Sequence, residues 1–168
     1  MALTKLNNQS LVAVTSAGIP IRSGSVLQVK YAEADLGSNG LATTSTSYVD
    51  LPAYSIAITP TSTSSKILIS YGIHTLEGAS TGNWASDWNS QIIRGSTKVY
   101  PTTDSTYDGG TYGPTNTYAM KKYDSSYLDT PNTTSAITYK VQVKSKGGRS
   151  ISFNQYANGH MVIMEIAG

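Results

Sequence analysis

Residues 137–144 read Ile137-Thr138-Tyr139-Lys140-Val141-Gln142-Val143-Lys144. Ile137, Tyr139, Val141 and Val143 occupy every second position, and Thr138, Lys140, Gln142 and Lys144 fill the positions between. Side chains of a strand alternate between its two faces, so this stretch predicts a strand with one packed face and one wet face, as antiparallel sheets allow. The same period recurs from Lys66 to Ile73, where Ile67, Ile69, Tyr71 and Ile73 share a face. Shorter candidates run Val26 to Tyr31, Tyr54 to Thr59, Asn89 to Arg94, Thr117 to Tyr123 and Ile151 to Gln155. Turn signals stand between them at Ser38-Asn39-Gly40, Pro60-Thr61-Ser62, Asp108-Gly109-Gly110, Pro131-Asn132 and Gly147-Gly148. With no helical stripe, about eight strands at short spacing predict an all-β antiparallel sandwich or jelly roll.

Composition agrees. Charged residues make up 13% of the 168, against roughly 25% in an average soluble protein. Ser and Thr fill the gap at about a quarter of the chain; the first favours turns and the second, being β-branched, suits strands. Twelve Tyr and two Trp stand against the single Phe153. Tyr belongs where one end is dry and the other wet, as on sheet faces and subunit interfaces. A net charge of +2 with no basic stripe predicts no nucleic-acid partner. The absence of an apolar run near the ~20 residues of a span predicts no membrane helix. Asn7, Asn8, Gln9 and Ser10 break any signal-peptide core, so synthesis in a cytoplasm is expected. With no Cys, disulfides and zinc–thiolate sites are excluded, and durability has to come from packing or oligomerisation.

The two ends of the chain differ from its middle. Met1 to Ile21 carries no clean alternation and leads through Gly18-Ile19-Pro20 to the turn signal Ser23-Gly24-Ser25. It reads as an extended arm over 1–25, followed by a head domain over 26–168. At the other end, Met161-Val162-Ile163-Met164-Glu165-Ile166 is apolar on both faces apart from Glu165. Such a strand is either central in a two-layer core or set at a subunit interface. Glu165 either pairs across that interface or ends a frayed terminus.

Several motifs invite chemistry and most do not sustain it. Gly78-Ala79-Ser80-Thr81-Gly82 fits the nucleophile-elbow pattern, but no helix follows it, and only His74 and His160 could act as base. Asp104-Ser105-Thr106-Tyr107-Asp108-Gly109 resembles the front of a calcium loop, yet Thr115 stands where the closing Glu belongs; a looser calcium site or a solvated loop both stay open. Two His without Cys or clustered acids make no metal site, and ten scattered acids give no glycosidase pair. No catalytic residue and no cofactor is expected. Trp84 and Trp88, four apart in a polar stretch, either stack on sugars or plug the core. The Tyr-rich stretch from Tyr100 to Tyr127 is a further contact candidate.

The segments Tyr127 to Val141, Ile58 to Ile69, Val162 to Ile166 and Met1 to Asn8 resemble small fibre-like proteins of aquatic bacteriophages. Glu77 to Thr117 does not share that resemblance. The resemblance implies a jelly roll similar to tumour-necrosis-factor and complement head domains, assembled as a homotrimer and located on the virion. It implies an N-terminal attachment arm, with Leu3, Leu6, Leu11, Val12, Val14, Ile19 and Ile21 docking on other virion proteins. The trimer interface is then expected at Met161, Ile163 and Glu165. Trp84, Trp88, Tyr100, Tyr107 and Tyr112 are expected to face the host surface, a glycan being the contact. A tail fibre or fibre tip is the leading role, capsid decoration the alternative, and a glycan-acting hydrolase or a secreted lectin weaker ones.

Overall fold

The computed structural model describes residues 21–37, 40–79, 87–100 and 117–168, with backbone alone at 78–79 and 117–119. Ten strands run β1 (Val26–Ala34), β2 (Leu41–Thr43), β3 (Val49–Ile58), β4 (Lys66–Ala79), β5 (Trp88–Arg94), β6 (Thr97–Tyr100), β7 (Thr117–Asp129), β8 (Ile137–Ser145), β9 (Ile151–Phe153) and β10 (Gly159–Ile166). Among the described residues there is no α-helix. All the pairings are antiparallel.

The strands form two sheets. In the larger, β1, β10 and β4 lie side by side and β7 pairs with the far side of β4, while β9 and β2 extend the sheet beyond the end of β10. The smaller runs β3-β8-β5-β6. Their inner faces share one core: Ile67, Ile69, Tyr71 and Ile73 of β4 with Met161 and Ile163 of β10 on one side, Tyr139, Val141 and Val143 of β8 with Ile92 and Ile56 on the other. The alternation predicted in β8 and β4 is thus the alternation observed, every second residue buried. The expected sandwich of antiparallel sheets is the architecture of the chain.

Departures from the predicted strands have local causes. β3 starts at Val49, not Tyr54, because its N-terminal half passes through a bulge: between the pairs Asp50↔Gln142 and Ser55↔Lys140 the register shifts. Pro52 and Ala53, at φ 66°, sit in that bulge and hide the alternation. The short strands β2 and β6 escaped the sequence pattern; β6 folds back from β5 through Gly95, at φ 60°, whose N–H donates to Thr138 O at 2.8 Å. The turn at Ser23-Gly24-Ser25 is present, with Ser25 N–H donating to Arg22 O at 3.0 Å, and Gly24 at φ 88°.

A buried polar node ties the two sheets. Tyr54 of β3 donates to Gly72 O of β4 at 2.6 Å, and Asn154 Nδ2 donates to Tyr54 Oη at 2.9 Å. Asn154, at φ 52°, also accepts from His74 N–H through Oδ1 at 2.9 Å. Burial pushes the Tyr54 hydroxyl up to about 12. Gly159 leaves the room this node needs, since a Cβ there would fall on Tyr54 Oη. Gly159→Ala is expected to destabilise the protein by about 2 kcal/mol, in the range of overpacked cores, as read by urea unfolding. An unchanged midpoint would show that the node relaxes without cost.

Candidate interface and the open side of the sandwich

Two regions combine unusual side chains with an unusual location. The first is the outer face of the larger sheet. Residues directly opposite in an antiparallel pair share a face, so the register reads out rows across the sheet. One row is Val29↔Met164↔Leu68↔Leu128, crossing β1, β10, β4 and β7. Met164, Leu68 and Leu128 point away from the core, because their neighbours along each strand are turned inward, and Val29, directly opposite Met164, shares their face. Val26 stands opposite Ile166 beside this row, and Tyr31 opposite Val162 on its other side. Val29, Tyr31 and Leu128 are 54%, 62% and 47% exposed. The next row, Glu33↔His160↔Gly72↔Asp124, is polar. The face therefore has an apolar field at the end where β1 begins and β10 ends, bordered by charge. Scattered exposed apolar residues are ordinary, but a contiguous field four strands wide marks a contact surface.

This placement corrects the expected interface set. Met161, Ile163 and Glu165 are each 0% exposed in the single chain. Met161 and Ile163 belong to the sandwich core, and Glu165 is enclosed by its own chain. Its Oε1 accepts from Thr61 N–H at 2.6 Å, Thr61 Oγ1 at 2.7 Å and Ser65 Oγ at 2.6 Å, and Oε2 accepts from Gln28 Nε2 at 2.6 Å. Burial alone would raise this carboxyl; the four donors outweigh it and hold the pKa down at about 2. Since the strand period is two, the available residues of β10 are the alternate ones, Val162, Met164 and Ile166. The signal was present in the sequence: Leu68 and Leu128 are apolar at positions that alternate with inward ones.

The second region is the side of the sandwich where β7 faces β5 and β6. Here the inward row of β7 is polar and aromatic. Lys121 Nζ lies 2.9 Å from Glu77 Oε2, and Tyr123 donates to Glu77 Oε1 at 2.9 Å. Thr75 Oγ1 and Trp88 Nε1 donate to the same oxygen, each at 3.0 Å. Further along, Tyr127 stacks on Tyr100 with centroids 5.1 Å apart. Asp129 closes the row, accepting from Arg94 Nη1 and Tyr139 Oη, each at 2.6 Å. Burial pushes the Tyr139 hydroxyl far up, and the Asp129 carboxylate beside it adds to this. Two buried acids thus each carry a cation and at least one aromatic donor, which offsets their desolvation. Between these clusters the sheets part around a recess of about 250 Å³. Buried Tyr71, Trp88 and Ser90 form its deep end; Tyr100, Tyr123, Asp124 and Ser125 form the outer part.

Of the residues expected to meet the host surface, Trp88 is 1% exposed and packs edge-on against Tyr123 and Phe153, at 5.0 and 5.2 Å. It is a core residue, because the strand that carries it turns its ring between the sheets; a surface contact for Trp88 is corrected. Tyr100 is half-buried and lines the recess. Trp84, Tyr107 and Tyr112 lie outside the described residues, as do Leu3, Leu6, Leu11, Val12, Val14 and Ile19 of the arm, Ser80, and the Asp104–Gly109 loop. Ile21 is described and is 69% exposed. His74 and His160 stand on the outer face of the larger sheet, partly exposed. Glu77 and Asp129 were not singled out in the sequence, although Glu77 falls in step with Ile73 and Thr75 on the inward side of β4.

The fold and these surfaces define an antiparallel β-sandwich with an apolar outer sheet face. No family model matches the chain, and no curated protein matches it. Among solved structures it is similar to a chain of the T13 viral particle of infectious bursal disease virus, with 11% identity and a TM-score of 0.43, over 84% of this chain and 36% of that one. A chain of the Gx strain of the same virus gives 14% and 0.37, over 84% and 30%. A mutant VP2 protein of that virus, from derived T=1 particles, gives 15% and 0.35, over 83% and 36%. The chain spans about a third of the length of the solved chains it matches. Similarity at this level is too low to transfer a role.

Proposed function

We propose that this protein is a non-catalytic structural component of a bacteriophage virion, a jelly-roll head that assembles as a homotrimer and is held to the particle by residues 1–25. The observation that carries the assembly is the apolar field on the outer face of the larger sheet, centred on Val29, Met164, Leu68 and Leu128. A second copy of the chain is the occupant, and burying the field between copies stabilises a Cys-free protein by mass action. The strand order β1-β10-β4-β7 over β3-β8-β5-β6 supports the jelly-roll reading. In that order the chain crosses between the sheets from β3 to β4, from β4 to β5, from β6 to β7, from β7 to β8 and from β8 to β9, as interleaved Greek keys do. The bacteriophage and the tail-fibre assignment rest on the sequence resemblance.

Sedimentation analysis of the full chain should give three times 17.8 kDa. Val29→Glu with Leu128→Glu should reduce that mass to one chain while leaving the strand signature in circular dichroism, because both side chains are exposed in the single chain. A wild-type monomer at tens of micromolar would sink the assembly reading. Imaging of intact particles tests the location: a few trimers at the tail agree with a fibre, whereas copies at shell lattice positions would replace that role with capsid decoration.

A further inference from the structure

Strand β1 carries its larger apolar side chains on the side away from its own core. Residues opposite each other in an antiparallel pair share a face. Gln28, Lys30, Ala32 and Ala34 stand opposite Glu165, Ile163, Met161 and Gly159, the inward row of β10. The inward row of β1 thus offers the core two alanines and two polar residues. Ala34 alone in β1 is buried, and Lys30 is exposed. Leu27, in the bulge between the pairs Val26↔Ile166 and Gln28↔Glu165, is half-buried. Val26, Val29 and Tyr31 turn outward and are 53%, 54% and 62% exposed.

The ties that hold β1 are correspondingly few. Among the described residues β10 is its only strand partner. Gln28 Nε2 donates to Thr59 O at 2.9 Å and to Glu165 Oε2 at 2.6 Å near one end, and Asn158 Nδ2 donates to Glu33 Oε1 at 3.0 Å near the other. β10, by contrast, is paired on both edges and buries every second residue. Lifting β1 away therefore exchanges ladder bonds for bonds to water and uncovers little apolar surface, while β4, β10 and β8 keep the core closed. Segments with few buried apolar contacts are the ones that open at the lowest cost. We infer that β1 is a strap: in the single chain it opens from β10 as a unit while the rest of the sandwich stays folded, and a neighbouring copy closes it by covering Val26, Val29 and Tyr31. The closure rests on the assembly reading; the opening does not. Assembly then also fixes the strand through which residues 1–25 join the head.

Hydrogen exchange of the full chain, followed by mass spectrometry of peptides from β1, β4 and β8, tests both parts. The single chain is the wild type diluted until sedimentation gives one chain, or Leu128→Glu, which leaves β1 untouched. There the β1 amides should exchange at least about a hundredfold faster than those of Ile67 to Ile73. In the assembled wild type the β1 amides should slow at least about tenfold. Glu33→Cys with His160→Cys sets two thiols opposite each other outside the apolar field, in a chain without other Cys. Oxidised, this pair should slow β1 in the single chain towards β10, and reduction should restore the fast exchange. Exchange in β1 no faster than in β4 would overturn the strap, as would exchange equally fast with the oxidised pair. Exchange unchanged on assembly would overturn the closure alone. A wild type that stays a single chain at tens of micromolar would remove the assembly reading and the closure with it, and the rates of β1 against β4 would still decide the opening.

Discussion

Trp88→Ala should lower the stability of the protein by about 4 kcal/mol, within the range for truncating a buried Trp. The side chain is 1% exposed and meets Tyr123 and Phe153 edge-on, so truncation leaves a cavity between the sheets that rigid strands cannot close. It also takes one of the donors from Glu77, a carboxylate at 0% exposure that keeps Thr75, Tyr123 and Lys121. At roughly 2–4 °C per kcal/mol for a domain of this size, the melting temperature should fall by about 12 °C. Trp88→Phe separates the two contributions: most of the packing survives and the indole N–H does not, so about 2 kcal/mol is expected. A variant within about 0.5 kcal/mol of the wild type would put Trp88 back on the surface, where such substitutions are nearly neutral.

The second large effect is acid lability through Glu165. Its pKa is about 2 in the fold against 4.5 ordinarily. A carboxyl depressed by folding contributes stability that is complete above 4.5, where folded and unfolded chains are both ionised. That contribution declines as the pH falls and is gone below about 2, where both are protonated. At 1.36 kcal/mol per pH unit the window corresponds to about 3 kcal/mol. Glu165→Gln should cost a similar amount at neutral pH, because an amide NH₂ meets the donors of Thr61, Ser65 or Gln28. It should also flatten the stability profile between those pH values. Urea unfolding at a series of pH values, with protein concentration held fixed, reads both effects. An equally steep profile in the variant would assign the acid sensitivity to other carboxylates.

What could be read from the sequence follows which side of the sandwich a strand occupies. β8 packs an aliphatic and aromatic row on one face and meets water on the other, so Ile137 to Lys144 announces itself. The same is true of Lys66 to Ile73. Beyond Ile73, however, β4 continues with Thr75 and Glu77 inward, and β7 carries Lys121, Tyr123, Ser125, Tyr127 and Asp129 inward. Those rows face the polar side, and hydrophobic period cannot find a strand whose buried face is polar. That is why β7 reached Asp129 when the pattern stopped at Tyr123. The parity of β10 was equally hidden. Met161 and Ile163 look no more apolar than Val162 and Met164, and only the partners of Glu165, a hundred or more residues away in the chain, decide between the two sets.

That ambiguity bears on how the chain avoids misfolding. A slip of β10 by one residue against β1 and β4 would exchange one apolar row for another, with little change in hydrophobic energy. It would also carry Glu165 out to solvent and set Met164 or Ile166 against the donors of Thr61, Ser65 and Gln28, stranding them inside. Moving Gly159 by one position would bring a side chain onto Tyr54 Oη. The two ends of β10 thus act as a lock and a stop. Discrimination against the slipped sheet resides in one carboxylate and one missing methyl group, and its loss should surface as slow, heterogeneous refolding, separately from any loss of native stability.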